Sequence, residues 1–150
     1  MKKWLCMLVC CLSVYVQAQV WTLKEKEPAA PGTWWCFRNT VTLDEQPRSL
    51  ELRLAADTKY WLWVNDELQV SEGGLKRGPN PLDTYCDVIT SLPALRAGEN
   101  TVALLVWYFG KDGFSHRNSS TAGISFSLSC NGKEVEPDAK WRVKKHPAYY

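Results

Sequence analysis

The stretch Ala56-Asp57-Thr58-Lys59-Tyr60-Trp61-Leu62-Trp63-Val64-Asn65-Asp66 constrains the fold more than any other part of the chain. Tyr60 to Val64 is an unbroken run of aromatic, leucine and β-branched side chains, and Asn65-Asp66 closes it. Such a run reads as a strand that is apolar on both faces and ends in a tight turn, because Asn and Asp tolerate the left-handed conformation of a two-residue hairpin. A strand apolar on both faces is expected to need cover above and below, so Trp61 and Trp63 are expected in the core with Tyr60, Leu62 and Val64, ligand stacking being the alternative for the two indoles.

Other segments have strand periodicity. Arg48 to Ala55 alternates, with Leu50, Leu52 and Leu54 on one face and Glu51 and Arg53 on the other. Gly123 to Cys130 alternates most clearly: Ile124, Phe126, Leu128 and Cys130 inward, Ser125, Ser127 and Ser129 outward. Asn131-Gly132 is the strongest short hairpin signal. Trp34 to Leu43, Glu67 to Val70, Thr84 to Ile89, Thr101 to Tyr108 (again apolar on both faces), Lys133 to Val135 and Trp141 to Lys144 complete eight or nine short strands with no convincing helix. Ser71 to Pro81 is a loop by its glycines and prolines, Thr90 to Asn100 a link with at most one helical turn, and Gly110 to Gly123 a long polar loop. Half-buried strands mixed with doubly apolar ones predict an all-β fold, a two-sheet β-sandwich of jelly-roll type spanning residues 34–147.

The first eighteen residues stand apart. Lys2-Lys3, an apolar run from Trp4 to Val16 and the small-residue pattern Val16-Gln17-Ala18 read as a secretory signal peptide, too short for a comfortable membrane span. Residues 19–33, with Lys24-Glu25-Lys26-Glu27, Pro28, Pro31 and Gly32, read as a solvated lead-in. Cleavage near Ala18 lowers Lys plus Arg from 18 to 16, equal to the 16 Asp plus Glu, so the +2 formal charge belongs to the precursor. A neutral chain without a basic cluster argues against nucleic acid or an anionic membrane as partner. It also removes Cys6, Cys10 and Cys11, leaving Cys36, Cys86 and Cys130. Three cannot all pair, and none has metal-ligand spacing, so three buried free thiols are expected, with one disulfide plus a free thiol as the alternative. Export without reliance on disulfides fits a bacterial periplasm or cell surface.

Two loops have the composition of a sugar site. Trp107-Tyr108-Phe109-Gly110-Lys111-Asp112-Gly113-Phe114-Ser115-His116 gathers aromatics, a cation, an anion and an imidazole at the end of a strand. Sugars present apolar C–H faces and hydroxyl rims, which aromatic rings and charged hydrogen-bonding groups match. Trp107, Tyr108, Lys111, Asp112 and His116 are the candidates there. The bland alternative turns Trp107 and Phe109 into the core and makes Phe114 the loop's anchor. In the second loop, Gly73 to Pro81, Lys76 and Arg77 could hold a hydroxyl or carboxylate; packing against a neighbouring domain is the alternative. Trp34 and Trp35 read as core or rim. Asp112, Ser115 and His116 do not make a hydrolytic triad, since there is no nucleophile elbow and one loop does not pre-organise three groups. Asp57, Asp83 and Asp87 read as turn and edge residues. No cofactor or metal ligand run is present, and Asn118-Ser119-Ser120 is a glycosylation sequon without meaning in a bacterial host.

The series Ala56-Asp57, Tyr60-Trp61-Leu62-Trp63-Val64-Asn65, Glu72-Gly73-Gly74, Asp83-Thr84-Tyr85 with Asp87, and Gly98-Glu99-Asn100-Thr101 before an apolar strand resembles the sugar-binding, galactose-binding-like jelly-roll domain of large glycoside hydrolases. The stretches Leu75-Lys76-Arg77-Gly78-Pro79-Asn80-Pro81 and Trp107 to His116 narrow the resemblance to the N-terminal domain of bacterial, Bacteroidetes-type α-L-rhamnosidases. Asp66 stands where such domains usually have Gly. The resemblance implies a carbohydrate-binding accessory module, its partner either a rhamnose-containing glycan or a glycoside hydrolase catalytic domain that it supports. It implies no catalytic residue within this chain, because the family's catalytic domain follows this module. Residues 148–150, ending Tyr149-Tyr150, are accordingly expected to be a truncated end, the chain being a fragment of a longer enzyme.

Overall fold

A computed structural model describes residues 29–75, 86–114, 116–118, 120 and 122–147. The expected signal peptide, Lys76 and Arg77, and the terminal tyrosines lie outside the described residues. The described chain is all-β, in nine strands: β1 (Thr33–Leu43), β2 (Leu50–Ala56), β3 (Lys59–Val64), β4 (Glu67–Gly74), β5 (Asp87–Ile89), β6 (Gly98–Tyr108), β7 (Ile124–Cys130), β8 (Lys133–Val135) and β9 (Arg142–Lys145). They form a five-stranded sheet in the order β4-β3-β6-β1-β9 and a four-stranded sheet in the order β5-β2-β7-β8. All pairings are antiparallel. β3–β4 and β7–β8 are hairpins within a sheet, and every other connection crosses to the opposite sheet, the winding of a β-sandwich.

Alternation explains the core. Trp35, Phe37 and Val41 of β1, Tyr60, Leu62 and Val64 of β3, and Val102, Leu104, Val106 and Tyr108 of β6 turn inward from one sheet. Leu52, Leu54, Ile124, Leu128 and Cys130 meet them from the other. The buried Trp35 indole N–H donates to Thr33 Oγ1 (2.9 Å), whose hydroxyl donates to Ala30 O (2.6 Å), so the indole meets no desolvation penalty. Ala29 joins the core, while Ala30, Pro31 and Gly32 after it are exposed. At one end of the sandwich the buried Asn100 carboxamide accepts from Asn65 Nδ2 and Arg96 N and donates to Arg96 O and Gly98 O.

Both hairpin turns have two residues at positive φ: Asn65 (49°) and Asp66 (68°), and Asn131 (52°) and Gly132 (77°). This is the twist-matched hairpin geometry, and Asp66 adopts it without glycine. β4 runs on to Gly74, where a loop was expected from Ser71, and it carries bulges that shift its register on β3. Glu72 turns to φ 58° at this irregularity. A Cβ on Gly73 would lie 2.3 Å from the Tyr60 ring, so this position needs glycine for close approach. The link before β6 holds one hydrogen-bonded turn, Leu95 N donating to Leu92 O (2.9 Å), and Leu92 and Leu95 anchor it in the core.

Two expectations fail. β3 and β6 are sealed on one face only, with Trp61 and Trp63 half-buried on the outer face of the five-stranded sheet. Trp34 stacks on both Trp61 and Trp107 there, so the indoles supply part of that face's cover. The three thiols are free, but only Cys130 is buried; Cys36 and Cys86 are half-buried.

Candidate functional site

The Asp57-Thr58 connection between β2 and β3 is a hydrogen-bonding hub. Asp57 N donates to Gly123 O (3.1 Å), Thr58 N to Trp107 O (3.0 Å), and Leu75 N to Thr58 O (2.7 Å). Thr58 Oγ1 accepts from Phe109 N (3.2 Å) and donates to Asp57 Oδ1 (2.8 Å). Lys59 stands opposite both Gly74 and Trp107 in the ladder. The two candidate loops therefore leave the sandwich side by side, one after Leu75 and the other after Tyr108. Non-local strand pairing brings together segments that are about thirty residues apart in sequence.

A second link fixes the base of the first loop. The Tyr60 hydroxyl donates to Asp87 Oδ2 (2.7 Å), which also accepts from Gly74 N (2.8 Å). One carboxylate thus ties β3, β4 and β5 together where that loop leaves and returns.

The second loop is pinned from within. His116 is buried, its Nε2 lies 2.7 Å from Lys111 O, and Gly113 N donates to His116 O. A Cβ on Gly113 would lie 2.5 Å from the His116 ring, so the imidazole occupies the space a side chain would take. Asp112 accepts from Asn118 N (2.8 Å) and from Arg117 Nη1 (3.2 Å), and these bonds, the backbone one first, hold its carboxyl below the ordinary range. The Tyr108 hydroxyl donates to Asn118 Oδ1 (3.0 Å). Burial, reinforced by the Asp57 charge, pushes that phenol up and keeps it protonated as a donor at neutral pH.

The predicted site residues thus separate. Lys111 and Asp112 are exposed on the pinned loop. Tyr108 and His116 are buried and hold that loop, rather than lining its surface. Trp107 lies on the outer sheet face, its indole stacked on Trp34 (5.0 Å between centroids, 8° between planes) and met by the edge of Phe109 (4.6 Å, 67°). Trp34 also stacks on Trp61 (5.4 Å, 29°), and Phe109 meets His116 edge-on (5.2 Å, 83°). Phe114, expected as an inward anchor in the bland alternative, is fully exposed at the loop tip. Thr58, Asp87, Arg117 and Asn118 were missed as site-forming residues. Asn118 reads in the sequence only as a sequon; its bond to Asp112 comes from its backbone N–H, while its side chain accepts from Ser120 N two residues on, an Asx-turn signal the sequence does offer.

No protein-family model matches the chain, and no curated protein does. Solved structures do. A family GH78 rhamnosidase of Bacillus sp. GL1 superposes with a TM-score of 0.71 at 28% identity, over 83% of this chain and 13% of that one. The chain is a β-sandwich similar to a domain of that rhamnosidase. An α-L-rhamnosidase of Streptomyces avermitilis complexed with L-rhamnose matches at TM-score 0.59 and 26% identity, over 84% of this chain and 12% of its own. A Pleurotus ostreatus lectin shares the fold at TM-score 0.56 and 22% identity, over 84% of this chain and 34% of that one. The rhamnosidase-like domain therefore spans about an eighth of the rhamnosidases that it matches. Among its described residues, no helix is long and apolar enough to cross a membrane, and no group of three His, Cys, Asp or Glu could hold a metal ion.

Proposed function

We propose that the domain is a non-catalytic carbohydrate-binding module of an exported α-L-rhamnosidase-like glycoside hydrolase, and that it takes rhamnose-containing glycans at the loops that leave the Asp57-Thr58 hub. The observation that carries this reading is the convergence of Leu75, Trp107 and Phe109 on Thr58, with Lys111 and Asp112 exposed on a pinned backbone beyond them. Pre-organised polar groups lose little freedom on meeting a sugar hydroxyl. The similarity to rhamnosidases, one of them solved with L-rhamnose, supports the substrate class. A binding role is favoured over hydrolysis by where the carboxylates are used. Glycoside hydrolysis needs two carboxylates across a sugar. Asp87 is engaged by Tyr60 and Gly74, Asp57 is buried against Thr58, and Asp112 is held by Arg117 and Asn118.

Calorimetric titration of the purified chain with L-rhamnose and rhamnose oligosaccharides tests the reading. Saturable heat that Lys111→Ala and Asp112→Ala reduce by roughly tenfold or more in affinity is the expected result. A well-folded chain that gives no heat would overturn it. In that case a second reading gains: a unit that supports a catalytic domain, docking through the fully exposed Phe114 at the tip of its pinned loop.

A further inference from the structure

We propose that the outer face of the five-stranded sheet is a separate binding site for an acidic polysaccharide, one whose sugars carry carboxylates. The proposal rests on the reading of the domain as a glycan-binding module, but it uses neither Lys111 nor Asp112.

Register defines the face. One row across the sheet runs Trp63, Ala103, Arg38, Arg142, and the next runs Trp61, Leu105, Cys36, Lys144. Their inward neighbours Leu62, Leu104 and Phe37 are buried and Val143 packs against the core, so both rows point outward. Beyond the second row, Trp34 stacks between Trp61 and Trp107 and closes one end. The result is a trough. Its floor is small where Ala103 and Cys36 sit, its wall on β3 is aromatic, and its wall on β1 and β9 is cationic. Strands lie about 4.8 Å apart, so Trp63 and Arg38 flank Ala103 at roughly 10 Å, room for one pyranose ring and its carboxylate.

Two observations point to an anion. Arg38 and Arg142 stand directly opposite each other, an arrangement that costs stability in an antiparallel pair. In addition, none of Arg38, Arg142 and Lys144 takes part in an ion pair among the described residues, whereas Lys59 at the other edge is paired with Glu72. A carboxylate between the guanidiniums would relieve the repulsion and could accept bidentate hydrogen bonds. Trp63 meanwhile stacks on no other ring among the described residues and is available to the C–H face of a sugar.

The test titrates the full chain with an α-1,4-linked galacturonate hexamer, its fully methyl-esterified counterpart, an oligothymidylate and L-rhamnose. The hexamer is expected to bind in a salt-sensitive way, and the ester about tenfold more weakly or worse. Trp63→Ala, and separately Arg38→Gln with Arg142→Gln, should each weaken the hexamer roughly tenfold, while Lys111→Ala leaves it unchanged. The glutamine variants alter exposed side chains, so they remain folded if the alanine variant does not. Absence of hexamer binding, indifference to the glutamine pair, or equal capture of the oligothymidylate would overturn the proposal. Loss of hexamer binding in Lys111→Ala would move the site to the hub loop. L-rhamnose binding reports on the hub by itself, so either site can fail alone.

Discussion

The two faces of β3 and β6 are built from residues of similar hydrophobicity, yet they are buried by different means. On the inner face Tyr60, Leu62, Val64, Val102, Leu104 and Val106 are sealed by β2 and β7. On the outer face Trp61, Trp63, Leu105 and Trp107 remain half-buried, and the cover they have comes largely from one another and from Trp34. The inner face draws on close packing against a second layer. The outer face draws on ring stacking in partial contact with water, which contributes less per side chain and leaves the aromatic edges free. Hydrophobicity of a strand therefore does not by itself reveal whether another layer covers it.

Core truncation should show the largest effect. Leu62→Ala leaves a cavity between the sheets, and about 3–4 kcal/mol of unfolding free energy should be lost in a urea titration. Trp34→Ala removes a far larger side chain from the outer face, yet about 2 kcal/mol is expected, since stacking on Trp61 and Trp107 and partial burial are lost rather than a sealed core position. If Trp34→Ala cost as much as Leu62→Ala, the outer face would be a true core and the contrast would collapse. Trp63→Ala should cost less again, below about 1 kcal/mol, because Trp63 has no ring partner among the described residues. A low cost there, combined with lost hexamer binding, would separate stacking for stability from stacking for recognition on one face.

These same strands show how far the sequence could be read. Alternation in β2 and β7 was legible because only one of their faces is apolar: Leu52, Leu54, Ile124 and Leu128 point in as their spacing requires. Ser125 is an exception, buried despite its outward phase. The Asn131-Gly132 turn was legible because its conformational demand is local. For β3 and β6 periodicity was silent, as both faces are apolar, and choosing the exposed one required knowing which side faces the second sheet. The β-sandwich and the loop after Tyr108 were readable from motifs. The roles inside the loops were not. Tyr108 follows Trp107 on a strand, so one of the two had to turn inward, and only the register decided that it was Tyr108. The Asp57-Thr58 hub and the Tyr60–Asp87 link are tertiary contacts with no local signature.

The smallest expected effect lies where the outer face meets the candidate loop. Asp112 is exposed, and its carboxyl is held below its ordinary value of 3.8, first by the Asn118 N–H and then by Arg117. Its folded pKa is therefore lower than its unfolded one, and the loop gains from the ionised form. That gain is fully present above the unfolded value and is lost as pH falls through the folded value. The loop's hold on Asn118 should thus be constant from neutral pH down to about 4 and then fade in acid. Following the Asn118 amide resonance by NMR from neutral to acid pH checks this. A midpoint below 3.8 that vanishes in Asp112→Asn is expected. A midpoint at or above that value would mean that the bonds from Asn118 and Arg117 do not hold the carboxylate in solution. The loop would then lack the rigidity that makes it a better sugar site than the aromatic face beside it.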